Sequence, residues 1–225
     1  MFVDKSMTRK VVTISVETPI LKARELMNEH EIRHLPVVDE DGRLLGIVTD
    51  RDVRSAMPSI LMDDFESGSV RERLATVTAR DIMTADPVTL SPMYTIQDAL
   101  LLIQKTRVGA FPVVDENGRL EGIISVRDLV RAFTNVLGIG EPGTLIGILV
   151  EQKVGQLKKI VDAITEERIS VGSILVARYW DEGKRAVFPY LLTNNVGRIK
   201  RKLQDLGFPL IDPMDWYLDR LPRNE

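Results

Sequence analysis

The chain contains no cysteine. Disulfides, thiolate catalysis and cysteine-ligated zinc are therefore excluded. It has only two histidines, His30 and His34, too few for a histidine-rich metal site. They lie four apart, but Arg33-His34-Leu35-Pro36 reads as the start of a strand, so no metal is expected. No apolar run approaches the roughly 18 residues of a membrane helix. The opening MFVDKSMTRK lacks the apolar centre of a secretory signal, and the expected location is the cytoplasm. Positive charge is not in excess, the formal net charge being −3. That argues against electrostatically driven binding to nucleic acid or anionic membrane. The cluster Arg198, Lys200, Arg201 and Lys202 accordingly reads as a solvated helix face. No serine or threonine has a plausible catalytic histidine or lysine base near it in sequence, and no acid pair sits in a catalytic motif. No enzymatic activity is expected.

What the chain does have is a repeat. Residues 7–57 and 83–133 align without a gap at an offset of 76, with 21 of 51 positions identical. The match is densest from His34-Leu35-Pro36-Val37-Val38-Asp39 to Gly46-Ile47-Val48-Thr49-Asp50-Arg51-Asp52. Its counterpart runs from Ala110-Phe111-Pro112-Val113-Val114-Asp115 to Gly122-Ile123-Ile124-Ser125-Val126-Arg127-Asp128. A unit of about fifty residues buries its own apolar face poorly, so the two copies should pack as one body with a cleft. In each, a short strand (Val11–Ile14, Val88–Leu90) precedes an amphipathic helix. Ile20, Ala23, Leu26 and Met27, matched by Ile96, Ala99, Leu102 and Ile103, give its spacing. Two apolar strands then flank Asp39-Glu40-Asp41-Gly42 or Asp115-Glu116-Asn117-Gly118, turns whose glycines supply positive φ. A second helix begins near Asp50 or Val126.

The expected fold class is α+β. Residues 1–57 and 81–138 form β-α-β-β-α repeats, joined by a connector over 58–80. Within the connector, Met62–Ser69 reads as a mobile loop, and Ser69-Val70-Arg71-Glu72 has capping-box spacing for a short helix. Residues 144–211 read as β-α-β-β-α-β, a ferredoxin-like order. Pro189 conflicts with that order, since it falls in an internal strand where an N–H is needed; a bulge there would reconcile them. The tail, 212–225, carries Trp216 and Tyr217.

The repeated polar residues are the candidate site. Thr49 and Ser125 each end a strand just where a helix starts. Amides at a helix start favour an anion such as phosphate, and a hydroxyl there can donate to it. Asp52 and Asp128 follow one turn later, and a carboxylate can accept both hydroxyls of a ribose. Hydroxyl-x-x-Asp at such a junction is equally an ordinary helix cap that needs no ligand, and both readings stand. Arg33, His34, Arg51, Arg107 and Arg127 are candidate counter-charges for phosphate. Asp50 becomes Val126 in the second copy, and Arg33-His34 becomes Gly109-Ala110, so the two clefts should be unequal.

The repeats resemble a tandem pair of CBS domains, a Bateman module, through Leu35-Pro36-Val37-Val38-Asp39, Gly42, Gly46-Ile47-Val48-Thr49, Asp52 and their counterparts. The resemblance implies an adenosine nucleotide (AMP, ADP or ATP) as regulatory ligand. It further implies that adenine wedges near Val12 and Leu35 in one copy and near Val88 and Phe111 in the other. The C-terminal part is similar to an ACT-type domain through its element order and Gly155-Gln156-Leu157. Together the layout resembles the acetoin-utilisation regulatory (AcuB-like) family. It implies a homodimer that relays nucleotide binding to an unknown protein partner. The alternatives are a constitutive dimeric scaffold with empty clefts, or a sensor of S-adenosylmethionine or an amino acid.

Overall fold

Alternating apolar residues, interrupted by positive-φ glycines, set the framework. The computed structural model describes residues 1–57, 76–181 and 183–211. The expected loop over 62–69, the capping box at Ser69 and the tail with Trp216 and Tyr217 lie outside them. The chain divides into two units, Met1–Val130 and Arg131–Glu225.

In the first unit α1 (Ile20–Glu29) is followed by β1 (His34–Val38), β2 (Leu44–Thr49) and α2 (Asp50–Ala56). After the connector come α3 (Ala79–Ile82) and β3 (Thr84–Ala85). The order then repeats as α4 (Ile96–Thr106), β4 (Ala110–Val114), β5 (Leu120–Ser125) and α5 (Val126–Leu137), whose residues from Arg131 onward belong to the second unit. β1 pairs antiparallel with β2, and β4 with β5 in the same register. Gly42 and Gly118 turn the hairpins at φ +77° and +76°. Helix α1 lays Ile20, Ala23 and Met27 onto Leu35, Val37 and Val48, all buried in one apolar core.

The opening strands expected at Val11–Ile14 and Val88–Leu90 shrink to single bridges, Ile14 to Val37 and Leu90 to Val113. Further pairing comes from the other copy. β3 pairs with β2 through Thr84 and Ala85, while Thr8 bridges Ile123 on β5. Each repeat therefore sends its first residues across to its twin's hairpin. The crossing explains the identical Gly46 and Gly122. A Cβ on Gly46 would lie 2.7 Å from Met83 Sδ and 2.9 Å from the Thr84 carbonyl oxygen. On Gly122 it would meet Met7 and Thr8 at 2.6 and 2.9 Å.

The symmetry extends beyond the identical residues. Ala79 N–H donates to the Thr18 carbonyl at 2.8 Å and Val3 N–H to that of Tyr94 at 2.7 Å, positions again 76 apart. Ala79 is fully buried in the first core. Residues 77–80, assigned to the connector from sequence, thus dock on the first repeat.

The second unit runs β6 (Thr144–Leu145), β7 (Gly147–Glu151), α6 (Gln156–Glu166), β8 (Val171–Asp181), β9 (Lys184–Leu191), α7 (Gly197–Asp205) and β10 (Leu210–Ile211). The sheet order is β10-β7-β9, with β8 on the other side of β9 and β6 in line with β7. Ile160 and Ile164 of α6, Ile199 and Leu203 of α7, and Ile148 and Val187 of the sheet share one core. Pro189 is accommodated without the expected bulge. Its carbonyl accepts from Ile146 N–H at 3.1 Å, but it has no N–H to return. The ladder is broken there, between β6 and β7, yet Leu145–Tyr190 and Ile148–Val187 remain in one register. The nearby bulge lies instead between Val171 and Ser173 of β8.

Candidate functional site

The strand-to-helix junctions are closed by reciprocal hydrogen bonds. Thr49 N–H and Thr49 Oγ1–H both donate to Asp52 Oδ2, at 2.8 and 2.7 Å, and Asp52 N–H donates to Thr49 Oγ1 at 3.3 Å. Asp50 N–H donates to the Arg33 carbonyl at 3.0 Å. The second junction copies this. Ser125 N–H and Oγ–H reach Asp128 Oδ2 at 2.9 and 2.7 Å, and Val126 N–H meets the Gly109 carbonyl at 3.1 Å.

These bonds revise two expectations. The amides at positions 50 and 52 already have partners and are not free for an anion. Asp52 also holds the cap with Oδ2, leaving Oδ1 as the oxygen for an incoming hydroxyl. The same reciprocal box occurs at Thr78–Asp81 and Thr95–Asp98. There the carboxylates are held below the usual aspartate range by the amide and hydroxyl of the threonine, the amide leading at Asp81 and the hydroxyl at Asp98. Hydroxyl-x-x-Asp is thus a folding signal wherever it stands. What sets Thr49–Asp52 apart is its surroundings.

A cleft of about 580 Å³ opens beside Thr49 and Asp52. The first repeat supplies Arg33, His34, Ile47, Asp50, Arg51 and Arg54; the second supplies Thr84, Asp86, Pro87, Val88 and 107–110. Arg54 pairs with Asp50 at 2.8 Å, which offsets the negative charge of that carboxylate beside the helix start. Arg33, Arg51 and Arg107 form no ion pair among the described residues. Ile47, Pro87 and Val88 provide apolar wall, Val88 being 43% exposed and so available for contact. Burial, aided by the Arg33 guanidinium, holds the His34 imidazole below its ordinary pKa of 6.5, while Asp52 and Asp50 pull the other way. Near neutral pH it is an uncharged donor and acceptor.

The cleft thus gathers Arg33, His34, Thr49, Arg51, Asp52, Val88 and Arg107 from among the sequence candidates. Leu35 and Phe111 do not face it. Both are fully buried, because strand alternation turns them and Val37 or Val113 inward. Val12 packs half-buried against the first core. Ser125, Arg127 and Asp128 are not among the lining residues. Asp128 is only 7% exposed, which a carboxylate tolerates when hydrogen-bonded. Sequence reasoning missed Arg54, Asp86 and Gly109. The last had a readable signal, since Gly109-Ala110 replaces Arg33-His34 at the offset of 76. A Cβ on Gly109 would stand 3.8 Å from His34 Nε2, so a small residue leaves the imidazole its place. No cluster of three metal-ligating side chains occurs among the described residues, and none of their helices is long and apolar enough to cross a membrane.

Comparison with known proteins follows the repeat. A family model, the CBS domain, matches residues 3–59 and 79–135. A CBS domain-containing protein of Dictyostelium discoideum is 36% identical over 135 residues, 60% of this chain and 92% of that protein. An inosine-5'-monophosphate dehydrogenase of Korarchaeum cryptofilum is 38% identical over 121 residues, 54% of this chain but 22% of the dehydrogenase. A crystal structure named for acetoin utilization (AcuB) from Vibrio cholerae is 30% identical, with a TM-score of 0.52. The likeness covers 63% of this chain and 98% of that one.

Proposed function

Because the chain belongs to the CBS-domain family, we propose that it is a non-catalytic regulatory protein that binds an adenosine nucleotide in the cleft at Thr49 and Asp52. One observation carries the reading. Arg33, Arg51 and Arg107, without ion pairs among the described residues, surround a cleft that also holds a carboxylate oxygen and an apolar wall. Guanidinium forks suit phosphate, Oδ1 of Asp52 suits ribose, and Ile47, Pro87 and Val88 suit the flat face of a base. The two repeats both line the cleft, so a ligand there favours one arrangement of the pair. A coupling of about 1–3 kcal/mol is the usual scale of such control. The dehydrogenase activity of the Korarchaeum relative is not carried over, since the match spans so little of that enzyme.

We assign the second unit as a ferredoxin-like, ACT-type domain, supported by its β-α-β-β-α-β order and by β7 and β9 lying side by side between β10 and β8. Its role is to hold a homodimer and relay the nucleotide signal to a protein partner in the cytoplasm. Amino-acid binding at residues 151–155 is disfavoured: Lys153 is paired with Glu151 at 2.6 Å, and Val154 is fully exposed.

The capping boxes at Thr78 and Thr95 favour a second reading, in which Thr49 and Asp52 only cap and the protein is a constitutive scaffold. Thermal melting with AMP, ADP, ATP and S-adenosylmethionine separates the two. A ligand at about 100 times its dissociation constant should raise stability by about 2.7 kcal/mol. No shift with any of the four would leave the scaffold.

A further inference from the structure

We propose that the cleft selects a nucleoside monophosphate over a triphosphate, an inference that rests on the nucleotide reading above. Four arginines and three aspartates line the cleft, leaving one positive charge in excess. Arg54 and Asp50 neutralise each other at 2.8 Å. Asp52 is bonded through Oδ2 to Thr49 and faces the sugar. The phosphate end therefore meets Arg33, Arg51 and Arg107 with Asp86 alone against them, an excess of two positive charges. A monophosphate carries about 1.5 to 2 negative charges at neutral pH and balances that set. A magnesium-free triphosphate brings about two more, with no further positive charge in the cleft to balance them and Asp86 to repel them. His34, kept uncharged by burial and Arg33, adds a hydrogen-bonding group but no further positive charge.

The arginine set is peculiar to this junction. At the offset of 76, Arg33 corresponds to Gly109, Arg54 to Val130 and Arg107 to Glu31; of the four, Arg51 alone keeps an arginine, Arg127. The repeat fold is built twice, and at the equivalent positions only Arg51 recurs as an arginine, so Arg33, Arg54 and Arg107 are not needed to form it.

The test is titration calorimetry of the full chain at fixed ionic strength with adenosine, AMP, ATP in chelator, and ATP with magnesium. AMP should bind about tenfold or more tightly than adenosine, and about tenfold more tightly than magnesium-free ATP, with magnesium narrowing the second gap. Arg33→Ala, Arg51→Ala and Arg107→Ala should each cost AMP about tenfold and leave adenosine unchanged. All three side chains are exposed, and an unchanged melting temperature without ligand checks that the variants fold. Magnesium-free ATP binding as tightly as AMP, or AMP no more tightly than adenosine, would overturn the inference while leaving the site intact. Adenosine and all its phosphates failing to bind would overturn the nucleotide reading and this inference together.

Discussion

Replacing Gly46 by alanine distinguishes the crossed arrangement of the repeats from two hairpins that fold separately. Gly46 does not adopt positive φ, so alanine is compatible with its backbone. With open space beside it, the substitution would stabilise the protein by about 0.4–1 kcal/mol, because the unfolded chain loses freedom. In the crossed arrangement the new methyl lies 2.7 Å from Met83 Sδ and 2.9 Å from the carbonyl oxygen of Thr84. The sulfur can swing away. The carbonyl belongs to β3, which is paired to β2 at this point, so it cannot move without breaking that pairing. Overpacking of this kind costs about 1–3 kcal/mol, opposite in sign to the open case. For a chain of this size that lowers the melting temperature by about 2–4 °C per kcal/mol. Gly122→Ala should behave alike, since its methyl would meet Met7 and Thr8 in the same way. Adding Met83→Ala to Gly46→Ala should recover only part of the loss, because the carbonyl remains. Urea unfolding followed by circular dichroism provides the measurement. If both alanines leave stability unchanged or raise it, the crossing is wrong.

The two repeated aspartates should separate folding from binding. Asp52→Ala and Asp128→Ala each lose a cap and about 0.5–2 kcal/mol in urea unfolding, but only Asp52→Ala should weaken AMP, by about tenfold. Asp81→Ala and Asp98→Ala also lose caps and should leave AMP affinity alone; calorimetry showing otherwise would detach binding from the cleft. His34 gives a pH dependence of defined sign. Burial depresses its folded pKa below 6.5, so as pH falls the unfolded chain takes the proton first. The stability due to its neutral form is complete above about pH 7 and is lost as pH falls through 6.5, and His34→Gln should flatten that slope. Equal slopes for both proteins between pH 7 and 6 would count against a desolvated His34.

The hairpins were legible because Asp-Gly and Asn-Gly turns between apolar runs are local features. The duplication likewise announced two equivalent junctions. The crossing of Thr8 and Thr84 was not legible, because it joins backbone groups of segments distant in sequence and leaves no side-chain pattern to read. Leu35 and Phe111 were placed at the ligand by resemblance, and the structure buries both fully within the strands. The capping role of Thr49 and Asp52 was legible as one of two readings, and the same spacing at Thr78 and Thr95, which also closes capping boxes, adds weight to it. Arg54 and Asp86 escaped because they reach the cleft only when both repeats are assembled.

Hydrogen–deuterium exchange of the full chain with and without saturating AMP most directly locates the ligand. Protection should appear at residues 33–34, 49–54, 84–88 and 107–110, with 125–128 unchanged. Protection confined to 125–128, or to the second unit, would contradict a nucleotide in this cleft.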